Sequence, residues 1–237
     1  IDLNPKISQL GRGEPLEDTA RVLSRFCDAL AIRTYKQSEL ESYANWSSIP
    51  VINALTDLEH PCQALADFLT IKEAFGSLEG KTLSYVGDGN NVVHSLMICG
   101  ALLGVNVRIG CPKGFEPLPA IVAQSRELAL AGSKIEITND PFEAVHGANA
   151  LYTDVWASMG QEQEQSLRKD QFKGFCLDKK LLSVASPDAI VLHCLPAHRG
   201  EEISAEVMES ESSRIFDQAE NRLHVQQALL AALLGGL

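Results

Sequence analysis

From Thr82 onward the sequence alternates short apolar runs with amphipathic stretches, and this alternation restricts the fold more than any other feature. Residues 82–86, 105–110, 134–138, 149–153 and 189–194 read as strands. Helical patterns separate them, from Asn90 to about Leu103, from about Pro117 to Ala131, over 141–146 and over 178–184, with a polar helix after Gly160. Strands that alternate with helices are joined by crossovers, so the sheet is expected to be parallel with helices on both faces. Right-handed crossovers make it doubly wound. Ligands of such sheets sit beyond the carboxyl ends of the strands, so the residues that follow each strand are the first to inspect.

Before Thr82 the same grammar appears in shorter form. A helix is expected from Glu14 to about Cys27, a strand over 29–32, a helix over 38–46 and a strand over 50–55. Ser38 with Glu41 three residues on reads as a capping box. A long helix follows from His60 to about Phe75, and Gly76 stops it. The polar stretch Ser77–Lys81 reads as a hinge. We expect two doubly wound α/β domains with parallel sheets, 1–76 and 77–218, joined by the long helix. A last helix, about Ala219 to Leu234 within 219–237, would return to the first domain.

The formal net charge of −11 argues against a nucleic-acid surface, which needs a basic footprint. Local Arg and His residues still permit an anionic small substrate. Six cysteines include no C-x-x-C pair and lie mostly in apolar runs, which suits reduced thiols in a cytoplasmic protein. No apolar run reaches spanning length, so no membrane partner is expected.

Four strand ends carry chemistry. Arg33 ends the first strand, where a charge can face a cleft. His60 and Gln63 share a face at a helix N-terminus, a natural anion site. Asp154 ends another strand and leads into Val155-Trp156-Ala157-Ser158-Met159-Gly160. The last strand runs into His193-Cys194-Leu195-Pro196-Ala197-His198-Arg199-Gly200. A nucleophilic role for Cys194 lacks a base at any diagnostic spacing. A zinc site from His193, Cys194 and His198 also lacks a recognised spacing, so no metal is expected. Gly87-x-Gly89 invites a dinucleotide reading, but Val92 stands where the third glycine belongs and no acid ends the next strand. Asn90 and Asn91 suit helix capping or an amide contact to a ligand.

Taken together, these residues resemble the ornithine carbamoyltransferase family along essentially the whole chain. His60-Pro61-Cys62-Gln63 is similar to its H-P-x-Q motif. Gly87 to Asn91, Asp154 to Glu162, His193 to Pro196 and Glu220-Asn221-Arg222 resemble its other loops in the same order. The resemblance implies transfer of a carbamoyl group from carbamoyl phosphate to the δ-amine of L-ornithine, without cofactor, by a homotrimer. It implies that Gln9, Arg33, His60, Gln63, Cys194, Leu195 and Arg222 hold carbamoyl phosphate, with Arg33, His60 and Cys194 nearest the chemistry. Asn91, Asp154, Ser158 and Met159 would hold ornithine. The family's Ser-x-Arg-Thr-Arg motif is absent, Arg33-Thr34 being the one Arg-Thr pair. We therefore expect the first domain to be incomplete at its N-terminus and the chain alone to lack full activity. A non-catalytic binding or scaffold remnant, or a carbamoyltransferase for another amine, stays open.

Overall fold

The computed structural model describes residues 13–130, 132–157 and 165–235, the side chains of 165–167 excepted. Two compact units emerge, one within 1–60 together with 227–237, the other spanning 61–226. The sequence-based boundary at 76/77 lies at the far end of the long helix. That helix packs with the larger unit, because its apolar face meets the next helix along the chain.

In the smaller unit the elements are α1 (Leu16–Leu23), β1 (Leu30–Arg33), α2 (Gln37–Trp46) and β2 (Val51–Leu55). The strands pair in parallel, from Leu30 beside Val51 to Arg33 beside Leu55. Ser38 is not the cap of α2. The helix begins at Gln37, whose backbone N–H donates to Asp57 Oδ1 at 3.0 Å. A carboxylate from the loop after β2 thus does the capping, which a local capping-box pattern does not anticipate.

The larger unit contains α3 (Pro61–Phe75), β3 (Thr82–Val86), α4 (Asn91–Leu102), β4 (Asn106–Gly110), α5 (Pro119–Leu128), β5 (Ile135–Thr138) and α6 (Pro141–Val145). It continues with β6 (Ala150–Thr153), α7 (Gln165–Gln171), α8 (Lys179–Leu182), β7 (Ile190–His193), α9 (Ala205–Met208) and α10 (Ile215–Leu233). The helix α10 passes into the smaller unit at Gln227. All pairings are parallel and the strand order is β5-β4-β3-β6-β7. Every residue of β3, β6 and β7 is buried, as helices on both faces require.

One face of the sheet carries α3, α4 and α5. The other carries a core of Val86, Leu151 and Val191 packed against Trp156, Phe172, Leu177, Val207 and Ile215. Phe172 sits at its centre, with Trp156 stacked at 5.5 Å and Phe115 edge-on at 4.8 Å. The free edge of β7 is covered by 212–214, since Val191 donates to Ser212 O and accepts from Arg214 N.

Candidate active site

Between β3 and β6 the strand order reverses direction. The chain leaves β3 towards β4 and leaves β6 towards β7, so a crevice opens between the two loops that follow. The loop after β3 brings Asp88 and Asn90, and the loop after β6 brings Asp154. Asn90 caps α4: its Oδ1 accepts from Val92 N at 3.0 Å and Val93 N at 3.3 Å. With the oxygen so occupied, its Nδ2 must face outward, and it donates to Asp154 Oδ2 at 2.8 Å. Asn90 therefore touches the strand-end acid. Asn91 is the first residue of α4 and half-buried.

Asp154 Oδ1 also accepts from its neighbour Val155 N at 2.8 Å and from the Cys194 thiol at 3.0 Å. Burial, then the Asp154 charge, push the Cys194 thiol well above its ordinary range. Cys194 is consequently a neutral donor and not a thiolate, which agrees with the lack of a base partner in the sequence.

His193 is buried. Its Nδ1 accepts the Leu195 backbone N–H at 2.9 Å, so the ring proton resides on Nε2, which donates to Glu202 Oε1 at 3.1 Å. The backbone N–H of His198 donates to the same carboxylate oxygen. These contacts hold Leu195 at φ +60°, a left-handed conformation that costs a non-glycine residue roughly 1–2 kcal/mol. Glu202 is fully buried, and nothing in the local sequence pattern marks it.

His193, Cys194 and His198 do not converge. Donor atoms of His193 and Cys194 cluster with Asp154, whereas His198 clusters with Glu201 and Glu202. In the first group both ring nitrogens of His193 and the Cys194 thiol already serve the hydrogen bonds described above.

Gly89 has a packing role. A Cβ there would fall 2.4–2.5 Å from backbone atoms of Phe115, Glu116 and Pro117, and Gly89 N donates to Phe115 O at 2.9 Å. The glycine thus allows the 115–117 segment to close over the loop. A buried ion pair fixes the same loop. Arg168 Nη1 meets Asp88 Oδ2 at 2.7 Å and Trp156 O at 2.8 Å.

On the α3 side, Gln63 Nε2 donates to Asp67 Oδ1 at 2.8 Å, and Gln63 Oε1 accepts from Arg222 Nη1 at 2.8 Å. Arg222 lies two turns into α10, not at its start. Gln218 joins from the preceding turn, donating to Asp67 Oδ1 at 2.6 Å and accepting His193 N at 2.8 Å. His60, directly before α3, is buried. Arg33, at the end of β1 in the smaller unit, is exposed. Gln9, Ser158 and Met159 lie outside the described residues.

A carbamoyl-phosphate-binding family model, aspartate/ornithine carbamoyltransferase, matches residues 1–73, and the Asp/Orn-binding model of the same family matches 79–233. The chain belongs to the aspartate/ornithine carbamoyltransferase family. An ornithine carbamoyltransferase of Prochlorococcus marinus strain MIT 9313 is 76% identical over all of this chain and 74% of its own length. One from Synechocystis is 57% identical over 99% of this chain and 76% of its own length. The solved ornithine carbamoyltransferase of Pyrococcus furiosus aligns with a TM-score of 0.95 and 49% identity, covering all of this chain and 76% of that one. Membership of this family leaves the nicotinamide reading of the Gly87-x-Gly89 turn without support.

Proposed function

We propose that this chain is an ornithine carbamoyltransferase, which transfers the carbamoyl group of carbamoyl phosphate to the δ-amine of L-ornithine and yields citrulline and phosphate. The observation that carries this reading is the Asp154 carboxylate at the crevice. Its Oδ2 receives one described hydrogen bond, from Asn90, and so retains acceptor capacity for a substrate ammonium. An acid in that place favours an amino acid with a second amine. It disfavours aspartate, whose second carboxylate it would repel. The similarity to enzymes named ornithine carbamoyltransferase supports the same choice.

In the proposed division of labour, residues 1–76 serve carbamoyl phosphate, 77–218 serve ornithine, and 219–237 return to the first domain. Arg33, His60, Gln63, Arg222 and Gln9 hold carbamoyl phosphate. Their positive and donor groups stabilise the oxyanion that develops when the neutral amine adds to the carbonyl carbon. The tetrahedral centre then collapses and phosphate leaves. Asn91, Asp154, Ser158 and Met159 hold ornithine. Cys194, a neutral thiol anchored to Asp154, positions the amine, and the Leu195 backbone faces the carbamoyl group.

The protein acts in arginine metabolism, in the cytoplasm and as a homotrimer, in this proposal. All six cysteines are free thiols, which suits a reducing compartment, and no described helix is long and apolar enough to cross a membrane.

The test is citrulline formation from carbamoyl phosphate and L-ornithine, with L-aspartate as the rival acceptor. Carbamoylated aspartate in place of citrulline overturns the assignment. Arg33→Ala sharpens it. Loss of an exposed side chain leaves the melting temperature nearly unchanged, while citrulline formation falls at least tenfold. Equal losses of stability and activity would count against the role.

A further inference from the structure

We infer that Asp67 is a positioning residue that sets both halves of the site at once, by dictating which end of two buried glutamine amides faces each neighbour. The inference rests on the proposed carbamoyltransferase reading for what the two halves bind, but its geometry is independent of that reading.

Asp67 is fully buried in α3, and Gln63 and Gln218 are buried beside it. A single oxygen, Oδ1, accepts the Nε2–H of both, at 2.8 Å and 2.6 Å. An amide that turns its nitrogen to Asp67 must turn its oxygen the opposite way. Gln63 thereby offers Oε1 to Arg222 Nη1, and Gln218 offers Oε1 to the backbone N–H of His193. One branch thus orients the guanidinium assigned to carbamoyl phosphate. The other pins the last residue of β7, directly before Cys194 and Leu195.

Each branch would fail if its amide flipped. The Gln63 nitrogen would then face the Arg222 donor, and the Gln218 nitrogen would face the His193 N–H. An unsatisfied buried donor pair is costly, so a fixed acceptor at position 67 selects one arrangement of the whole set. The remaining oxygen, Oδ2, is buried, and the Tyr152 side chain lies near both Asp67 and Cys194. Burial pushes the Asp67 carboxyl up to about 7. An asparagine keeps one acceptor oxygen for the two glutamines.

Three variants test this: Asp67→Ala, Asp67→Asn and Gln218→Met. The readouts are kcat, the KM for each substrate, the melting temperature and hydrogen exchange of the His193 backbone amide. Asp67→Ala is expected to lower kcat/KM for both substrates at least tenfold and to speed His193 exchange at least tenfold. Asp67→Asn should stay within about threefold of the parent in kcat, in both KM values and in His193 exchange. Gln218→Met removes the branch that pins His193 ahead of Cys194 and Leu195, so it should speed His193 exchange at least tenfold and raise the ornithine KM, with the Gln63–Arg222 branch left intact.

A purely structural role predicts lower melting temperatures with unchanged kinetic constants and would overturn the inference. So would equal impairment by Ala and Asn, or Gln218→Met without effect on ornithine or on His193 exchange. If Asp67→Ala does not fold, Gln218→Met decides alone. With a parent protein that forms no citrulline, His193 exchange and the melting temperature still judge Asp67.

Discussion

Arg168→Met is the substitution whose consequences follow most directly from the structure. The Arg168 guanidinium meets Asp88 at 2.7 Å, and the side chains are 8% and 10% exposed. Removing one member of a buried pair leaves the other charge without compensation, at a cost of roughly 3–5 kcal/mol. The bond to Trp156 O is lost as well, worth about 1 kcal/mol. For a protein of this size about 4 kcal/mol corresponds to a fall in melting temperature on the order of 10 °C.

The loss must also depend on pH. Burial pushes the Asp88 carboxyl up and the Arg168 charge holds it back. Without Arg168 the native state of the variant keeps a proton on Asp88 that the unfolded chain has released. Its stability then declines as pH rises from the ordinary carboxylate range towards the raised value. Calorimetric melting is therefore expected to show a small deficit near pH 4.5 and a large one near pH 7.5. Replacing both partners, with Asp88→Asn added, should recover at least half of the loss at pH 7.5. An equal deficit at both pH values, or a double variant worse than the single one, would refute the reasoning.

Gly89→Ala places a Cβ against the 115–117 backbone, which cannot rotate away as a side chain can. We expect a melting temperature lower by at least 5 °C and a raised ornithine KM; an unchanged melting curve would contradict the packing role. The Cys194 thiol should resist iodoacetamide at pH 7.5 and react only as pH climbs well above 9, with Cys194→Ala as the control for site assignment by mass spectrometry. Ready alkylation at neutral pH would refute the neutral-donor role.

Asp67, faced by Arg222, Tyr152, Gln63, Gln218, Cys99 and Cys194, titrates near 7 when folded against about 4 in the unfolded chain. Its contribution to stability is therefore present below pH 4 and lost as pH rises to 7. Melting temperatures of the parent minus those of Asp67→Asn should fall across that window, and a flat difference would contradict it.

Most of the sheet is legible in the sequence because β3, β6 and β7 are buried on both faces and so appear as short apolar runs. The misreadings have separate causes. Four-residue α9 is too short for periodicity to register. The helix α10 begins four residues before its expected start, since its buried face includes Gln218 and Asn221. A polar buried face hides the apolar stripe by which helices are recognised. Asn221 meets Thr70 and Glu73 on α3, as Gln218 meets Asp67, so the pairing spans most of the chain and leaves no local trace.

In the site, Asp154 and Cys194 stand out in the sequence, and the structure brings them into contact. Asn90 and Asn91 are adjacent and chemically identical, and only the cap geometry separates them. Asp67 had one readable signal, its spacing of four from Gln63, which places both on one helix face.

The reversal of direction between β3 and β6 has a consequence for how this chain tolerates change in length. Asn90 and Asp154 are 64 residues apart, and Asp154 and Cys194 are 40 apart. Their meeting depends on strand register rather than on the length of the intervening loops. Extra residues at the far ends of the crossovers, such as the turn between α5 and β5, would leave the crevice geometry unaltered. A single residue inserted into β6 would instead turn Asp154 to the opposite face of the sheet, away from both Asn90 and Cys194. Natural length variation should therefore collect at the amino-terminal edge of the sheet, and its carboxyl edge should keep a fixed count.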